Sequence, residues 1–333
     1  MKAFVLDRYG KQQALRLANL PELAPGPGEV LVEVHAAGLN LLDVKIRNGE
    51  FKLILPYKPP FVLGHDVAGI VRSVGTGVRD FKIGDAVYAR PRDGRIGAFA
   101  DSIVIDQADL ALKPANLSME EAASMPLVGL TAWQVLVERA GIGEGTKVLI
   151  HAGSGGVGSF AIQLAKHFGA AVATTTGTSN LELVRSLGAD TAVDYKTEDF
   201  SEILRGYDVV LNSLDSRILE KSLKVLKSGG KLISISGPPD PAFARAKGLS
   251  AALRLVLTLI SAGIRRKAKR AGVEYSFLFM RADGRQLAEI TRLVEQGAIR
   301  PVIDKVYSFE QINEALNYIE TRRAKGKVVV RLR

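Results

Sequence analysis

Cysteine is absent from the 333 residues of this chain. Disulfides, thiolate metal sites and cysteine nucleophiles are thereby excluded. Long apolar runs are missing too, and nothing approaches the roughly eighteen residues that a transmembrane helix needs. The amino-terminal stretch Met1-Lys2-Ala3-Phe4-Val5-Leu6-Asp7 holds too few apolar residues for a secretory signal. No feature argues for export, and a cytoplasmic location is expected. No internal repeat or low-complexity linker is visible. Acidic residues are outnumbered, 35 against 45 basic ones, which leaves a net charge of +10. That balance favours anionic partners, for which a phosphorylated cofactor is sufficient. Solvated surface also accounts for much of it, and a nucleic-acid partner is not expected.

What remains is the composition of a globular protein, 47% hydrophobic and 24% charged. The length exceeds one ordinary core and predicts two domains. The organising stretch is Val148-Leu149-Ile150-His151-Ala152-Gly153-Ser154-Gly155-Gly156-Val157-Gly158. It predicts a buried strand, a glycine-rich turn and a helix from Gly156 to near Phe168. The glycines at 153, 155 and 158 have the G-x-G-x-x-G spacing. Gly153 permits the tight turn, Gly155 lets a pyrophosphate approach the backbone, and Gly158 lets the helix lie close to its strand. The helix start then offers unpaired N–H groups to phosphates. A turn with no ligand has the same spacing, but the flanking strand and helix favour a dinucleotide.

Residues 1 to about 120 read as mostly β. Val30, Val32 and Val34 alternate with Leu31, Glu33 and His35, the period of a half-buried strand. Further short strands are predicted at 67–74, 86–88 and 103–105, punctuated by glycine turns, the pattern of a partly open barrel. A helix is predicted over 118–139, with Ser118 and Glu121 as a capping box. From 147 onward strands (147–151, 171–176, 190–193, 207–211, 230–235) alternate with helices (156–168, 179–187, 198–205, 216–227). That alternation implies an α/β domain with a doubly wound parallel sheet of the Rossmann type. The valine-rich strand from Lys327 to Leu332 is expected to rejoin the amino-terminal domain.

An NAD site places an Asp or Glu about twenty residues past the first glycine. Here that region is Ala173-Thr174-Thr175-Thr176-Gly177-Thr178-Ser179-Asn180, with no acid. Small hydroxyl and amide side chains leave room for a 2′-phosphate, so NADPH is the expected cofactor. Thr174, Thr175 and Thr176 serve equally as β-branched strand residues. One stretch fits neither domain pattern. Residues 251–260 are largely apolar, and Arg265-Arg266-Lys267-Ala268-Lys269-Arg270 follow. Such a pattern suits peripheral attachment to an anionic membrane through 251–270. The shortness of the apolar part favours an internal helix packed between domains, with its charges solvated.

Three segments, Gly38-Leu39-Asn40-Leu41-Leu42-Asp43-Val44-Lys45, Gly64-His65-Asp66-Val67-Ala68-Gly69 and the glycine turn, resemble the medium-chain dehydrogenase/reductase superfamily. Leu130-Thr131-Ala132-Trp133, Asp194-Tyr195 and Gly326-Lys327-Val328-Val329-Val330 make the chain similar to its zinc-independent quinone oxidoreductases and alkenal (enone) reductases. The resemblance covers essentially the whole chain. It implies a GroES-like catalytic domain, 1–122 plus 267–333, around a Rossmann domain, 123–266, with the substrate cleft between them and a homodimeric assembly. Zinc-dependent relatives have a cysteine at the position of Asn40 and a histidine at that of His65. With no thiolate and one histidine there, no metal site is expected, and His65 reads as structural.

The resemblance further implies hydride transfer to a quinone or to the β-carbon of an α,β-unsaturated carbonyl. It places Asn40 and Thr131 beside the nicotinamide, with Asp43 and Lys45 nearby; Asp43 serves equally as a helix cap. It places Ser154, Gly155, Gly156 and Val157 on the pyrophosphate and Ser179 and Tyr195 around the adenosine phosphate; Gly153 of the turn and Thr175, Thr176 and Asn180 at the strand end are the further cofactor-site candidates read from the residues. Asn180 stands where this branch often has a lysine; Arg322 or Arg323 is the expected substitute. Ser236, Gly237, Phe277, Leu278 and Phe279 would flank the nicotinamide, although the phenylalanines suit a core as well. A second class of function, a non-catalytic NADPH-binding protein attached to membrane or nucleic acid by its basic surface, is the alternative.

Overall fold

The computed structural model describes residues 1–333. They form two compact units, one of Met1–Leu130 with Arg281–Arg333 and one of Thr131–Met280. The chain leaves the second unit at Arg281 rather than at 267. The reason is local: 267–270 completes the helix Ala251–Arg270, and Glu274–Phe277 then adds an edge strand to the second unit's sheet.

The first unit is built on a seven-stranded path plus a small three-stranded sheet, Arg16–Asn19, Lys2–Leu6 and Phe61–Val62. Its longest strand is Glu29–Leu39, in which Val30, Val32 and Val34 are fully buried and the residues between them are not. This is the period-two burial that a pleated strand imposes on one face. It pairs antiparallel with Asp66–Val74, with Ser102–Asp106 and with the final strand Lys327–Arg331. The last of these sets Val328 opposite Leu39 and Val330 opposite Ala37. The far end of the chain thus completes the sheet begun near its start.

In the second unit every strand is parallel. The order is 191–194, 171–176, 147–150, 207–212, 226–234, 274–277. Sequence order reverses between 147–150 and 207–212, which puts a ligand crevice at the carboxyl ends of those strands. Val148, Leu149 and Ile150 are fully buried, as a central parallel strand covered on both faces demands.

Several predicted helices are shorter than expected. The stretch 118–139 starts with the Ser118–Glu121 capping box but divides into Met119–Ala123, Pro126–Trp133 and a π-helical turn, Gln134–Ala140. Pro126 lacks the N–H a continuing helix would use and opens a new one. Helix 198–205 reduces to Phe200–Ile203, and 216–227 to Ser216–Lys221 with a 3-10 turn, because a strand already begins at Leu226.

The segment 251–270 is one twenty-residue helix within the second unit. Its later part packs behind the sheet through Ile264 and Ala268. Its earlier part leaves Leu255, Val256, Leu259 and Ile260 exposed, unlike the internal helix that the sequence favoured.

Candidate active site

The turn after strand Lys147–Ile150 owes its shape to neighbours that leave no room for side chains. A Cβ on Gly153 would lie 2.1 Å from Thr174 Oγ1, and one on Gly158 would lie 2.3 Å from Ala152 O. A Cβ on Gly155 would meet only Ala152 O, at 3.3 Å, so its outer side is open. The residue with positive φ is not a glycine but Ala152, at 54°. The helix Gly156–His167 has Gly155 as its cap and no side-chain hydrogen bond there. Its first N–H groups therefore remain available to an anion. Open backbone at Gly155, an uncapped helix start and a crevice at the sheet's carboxyl edge together fit the pyrophosphate of a dinucleotide.

The threonines behind the turn act on the turn itself. Thr175 Oγ1 is 3.0 Å from His151 Nδ1 and accepts from Ala152 N, while Thr175 O accepts from Gly153 N. Thr176 Oγ1 donates to Ser154 Oγ at 3.0 Å. Both threonines are buried, and their hydroxyls hold the turn through His151, Ala152 and Ser154. His151 is buried between Thr175 and Ser222, its Nε2 2.9 Å from Ser222 Oγ. Burial without a counter-charge pushes its pKa down to about 3, so the ring is neutral. Asn180 Nδ2 also donates to Ser154 Oγ, at 3.2 Å.

Of the residues expected around adenosine, Ser179 and Tyr195 are exposed, and Tyr195 Oη lies over Gly177, 3.3 Å from where its Cβ would be. Lys196 was missed by sequence reading. Its Cε lies 3.6 Å from that same point, so this unit supplies its own cation beside Thr178-Ser179-Asn180. The nearest acid, Asp194, is tied to Thr178 Oγ1 and Lys196 N. Arg322 and Arg323 are exposed and belong to the first unit.

Asn212 was also missed. It ends strand Tyr207–Asn212 at the crevice edge, its Oδ1 accepts from Ser234 Oγ, and its buried Nδ2 has no partner. Ser236 and Gly237 fold back so that their N–H groups donate to Ser234 Oγ. Phe277 and Leu278 are buried, Phe277 edge-on to Phe243 at 5.1 Å, which makes them core; Phe279 is half-buried. Thr131 is buried in helix Pro126–Trp133.

In the first unit, Asn40 caps helix Leu41–Arg47, and its N–H donates to Asp43 Oδ2 at 2.8 Å. Asp43 Oδ1 is 2.6 Å from His65 Nδ1. Asn40 Nδ2 donates to Asp66 Oδ2 at 2.9 Å, and Lys327 Nζ donates to Asn40 Oδ1 and to Asp66 Oδ2. Asp66 Oδ1 accepts from Leu127 N. Asp43 therefore serves as a cap and as the anchor of His65. The amide of Asn40 is fixed at its oxygen and at one N–H, and the second N–H is left to donate elsewhere. Lys45 is half-buried, with Nζ 5.9 Å from the Phe51 ring centre. No three His, Cys, Asp or Glu side chains come together to hold a metal.

A doubly wound sheet with a glycine cradle, joined in one chain to an antiparallel unit with a rigid amide, defines a nicotinamide-dependent oxidoreductase. Comparison with known proteins agrees. The family model described as Alcohol dehydrogenase GroES-like domain matches residues 26–115, and the one described as Zinc-binding dehydrogenase matches 187–330. The chain is 36% identical to the Danio rerio protein named NAD(P)H oxidoreductase RTN4IP1, mitochondrial, over 99% of this chain and 91% of that one. It is 37% identical to the Arabidopsis thaliana NADPH-dependent alkenal/one oxidoreductase, chloroplastic, over 99% of this chain and 79% of that one. The solved quinone oxidoreductase of Coxiella burnetii superposes with a TM-score of 0.87 at 29% identity, covering 100% and 99% of the two chains. The chain belongs to the medium-chain dehydrogenase/reductase superfamily, in its branch of quinone oxidoreductases and alkenal reductases.

Proposed function

We propose that this protein is a metal-independent, NADPH-dependent reductase of quinones or α,β-unsaturated carbonyls. The observation that carries the reading is the second unit's phosphate furniture: an open Gly155, an uncapped helix start, and Lys196 beside a strand end that has no free acid. The N–H groups of Gly156 and Val157 bind the pyrophosphate, with Ser154 Oγ held in place by Thr176 and Asn180. Lys196, Ser179 and Tyr195 take the 2′-phosphate. Asn212 Nδ2 is the buried donor for the nicotinamide end.

NADPH, when bound, supplies the hydride. The protein's part is to orient and to stabilise charge. In a conjugated carbonyl, negative charge builds on the oxygen as the β-carbon is reduced. The remaining N–H of Asn40, preorganised by Lys327 and Asp66, is the donor suited to that oxygen. Lys45, in the last turn of the helix that Asn40 caps, is a further cation assigned to the site, and solvent returns the proton. Metal independence is supported by the donor set: no thiolate in the chain, and His65 Nδ1 engaged by Asp43. A homodimer is part of the proposal, supported by the edge strand Glu274–Phe277, which has an unpaired side for a second copy.

The test is NADPH oxidation against a quinone, a short alkenal and a cyclic enone, with EDTA present. Turnover of one class, insensitive to chelator and poor with NADH, is the expected result. Equal use of NADH would overturn the phosphate assignment, and loss of turnover in EDTA would overturn metal independence.

A further inference from the structure

The helix Ala251–Arg270 carries six basic residues and no acid. At 1.5 Å per residue it is about 30 Å long, more than twice the roughly 13 Å of the four-residue strand Glu274–Phe277 that follows it. One face, Leu257, Ser261, Ile264 and Ala268, is buried. The opposite face changes character along the axis. In the first turns it presents Leu255, Val256, Leu259 and Ile260, which are 61%, 47%, 66% and 58% exposed. In the last turns it presents Arg266, Lys267, Lys269 and Arg270, all exposed. Lys267 pairs with Glu220; Arg266, Lys269 and Arg270 have no carboxylate partner. Four large aliphatic side chains exposed on adjacent turns form a contiguous apolar patch of the kind that marks an interaction surface.

We propose that this helix docks the protein on an anionic lipid surface. The apolar turns enter the boundary between headgroups and acyl chains, and the basic turns lie on the phosphates. No helix of the protein is long and apolar enough to cross a membrane, so the attachment is peripheral. Charge selects lipid over a second copy. An antiparallel pair of these helices would set each basic end against the partner's helix start, where Arg254 adds positive charge to the N-terminal dipole. A parallel pair would set the basic ends against each other. A nucleic acid would use the basic turns and leave the aliphatic ones in water.

Full-length protein is sedimented with vesicles of phosphatidylcholine alone or of phosphatidylcholine with phosphatidylserine. It should pellet with the second and stay in solution with the first. Leu255→Ser/Leu259→Ser and, separately, Arg266→Gln/Lys269→Gln/Arg270→Gln should each weaken partitioning about a hundred-fold, while both keep the wild-type unfolding temperature. The proposal fails if wild-type protein ignores both vesicles. It fails also if the leucine variant binds like wild type, which is the nucleic-acid-like outcome. It fails again if, without lipid, the wild type sediments as a dimer that the leucine variant dissociates, which would make the face a contact between copies.

Discussion

Lys327 and Asn40 are 287 positions apart in sequence, yet Lys327 Nζ lies 2.6 Å from Asn40 Oδ1. The same ammonium neutralises the fully buried Asp66 at 2.8 Å. Removing one partner of such a pair strands the other charge in the interior, at a cost of about 3–5 kcal/mol. Lys327→Met should lower the unfolding free energy by that amount in a urea titration. Adding Asp66→Leu should recover part of it, because no buried charge is then left over. A double variant no more stable than the single one would show that the pair is not the cause.

Gly155 and Gly158 separate binding from folding. Gly158→Ala drives a Cβ into Ala152 O, and overpacking of this kind costs about 1–3 kcal/mol. Its melting temperature should fall. Gly155→Ala needs only a small shift of Ala152 O, and its Cβ fills the open side. It should melt like the wild type and bind NADPH at least about tenfold more weakly by calorimetry.

Lys196→Ala should distinguish the two nicotinamide cofactors. A hydrogen bond to a charged group is worth about 1.5–3 kcal/mol, so affinity for NADPH should drop roughly 10- to 100-fold. Affinity for NADH should not change. A parallel loss for both cofactors would mean that Lys196 acts on the fold of the strand end and not on the 2′-phosphate.

His151 makes stability fall in acid. The unfolded chain takes up its proton near the ordinary value of 6.5, the folded one only near 3. Between those limits the unfolded state binds more protons, so stability decreases as pH falls, by about 1.4 kcal/mol per pH unit. Above 6.5 the group contributes no pH dependence. Urea unfolding at a series of pH values should show this slope in the wild type and a shallower one in His151→Gln.

Much of the architecture was legible because it rests on local patterns. The alternation at Val30, Val32 and Val34 marks a strand wherever it occurs, and the glycines at 153 and 158 sit where contacts forbid a Cβ. The less legible parts depend on tertiary placement. Thr175 and Thr176 are candidate ligand groups in sequence; that the parallel strand buries both and sets their hydroxyls against His151 and Ser154 is visible only in the fold. Lys196 becomes a candidate only when the chain after strand Thr191–Asp194 folds over Gly177. Asn212 is one polar residue in an apolar run until its unpaired Nδ2 is seen. The helix 251–270 has apolar residues on more than one side, so its sequence alone does not reveal which of them remain in water.

The way the two units share the chain has a consequence for synthesis. Residues 131–280 are continuous, so all six parallel strands have been synthesised once the segment is complete. The first unit must wait. Ala37 to Leu39 have no antiparallel neighbour on one side until Val328 to Val330 are made, and Asp66 has no counter-ion until Lys327 arrives. On a nascent chain the middle therefore matures before the beginning. Translation has to pass Lys327 before the residues around Asn40 acquire their final arrangement.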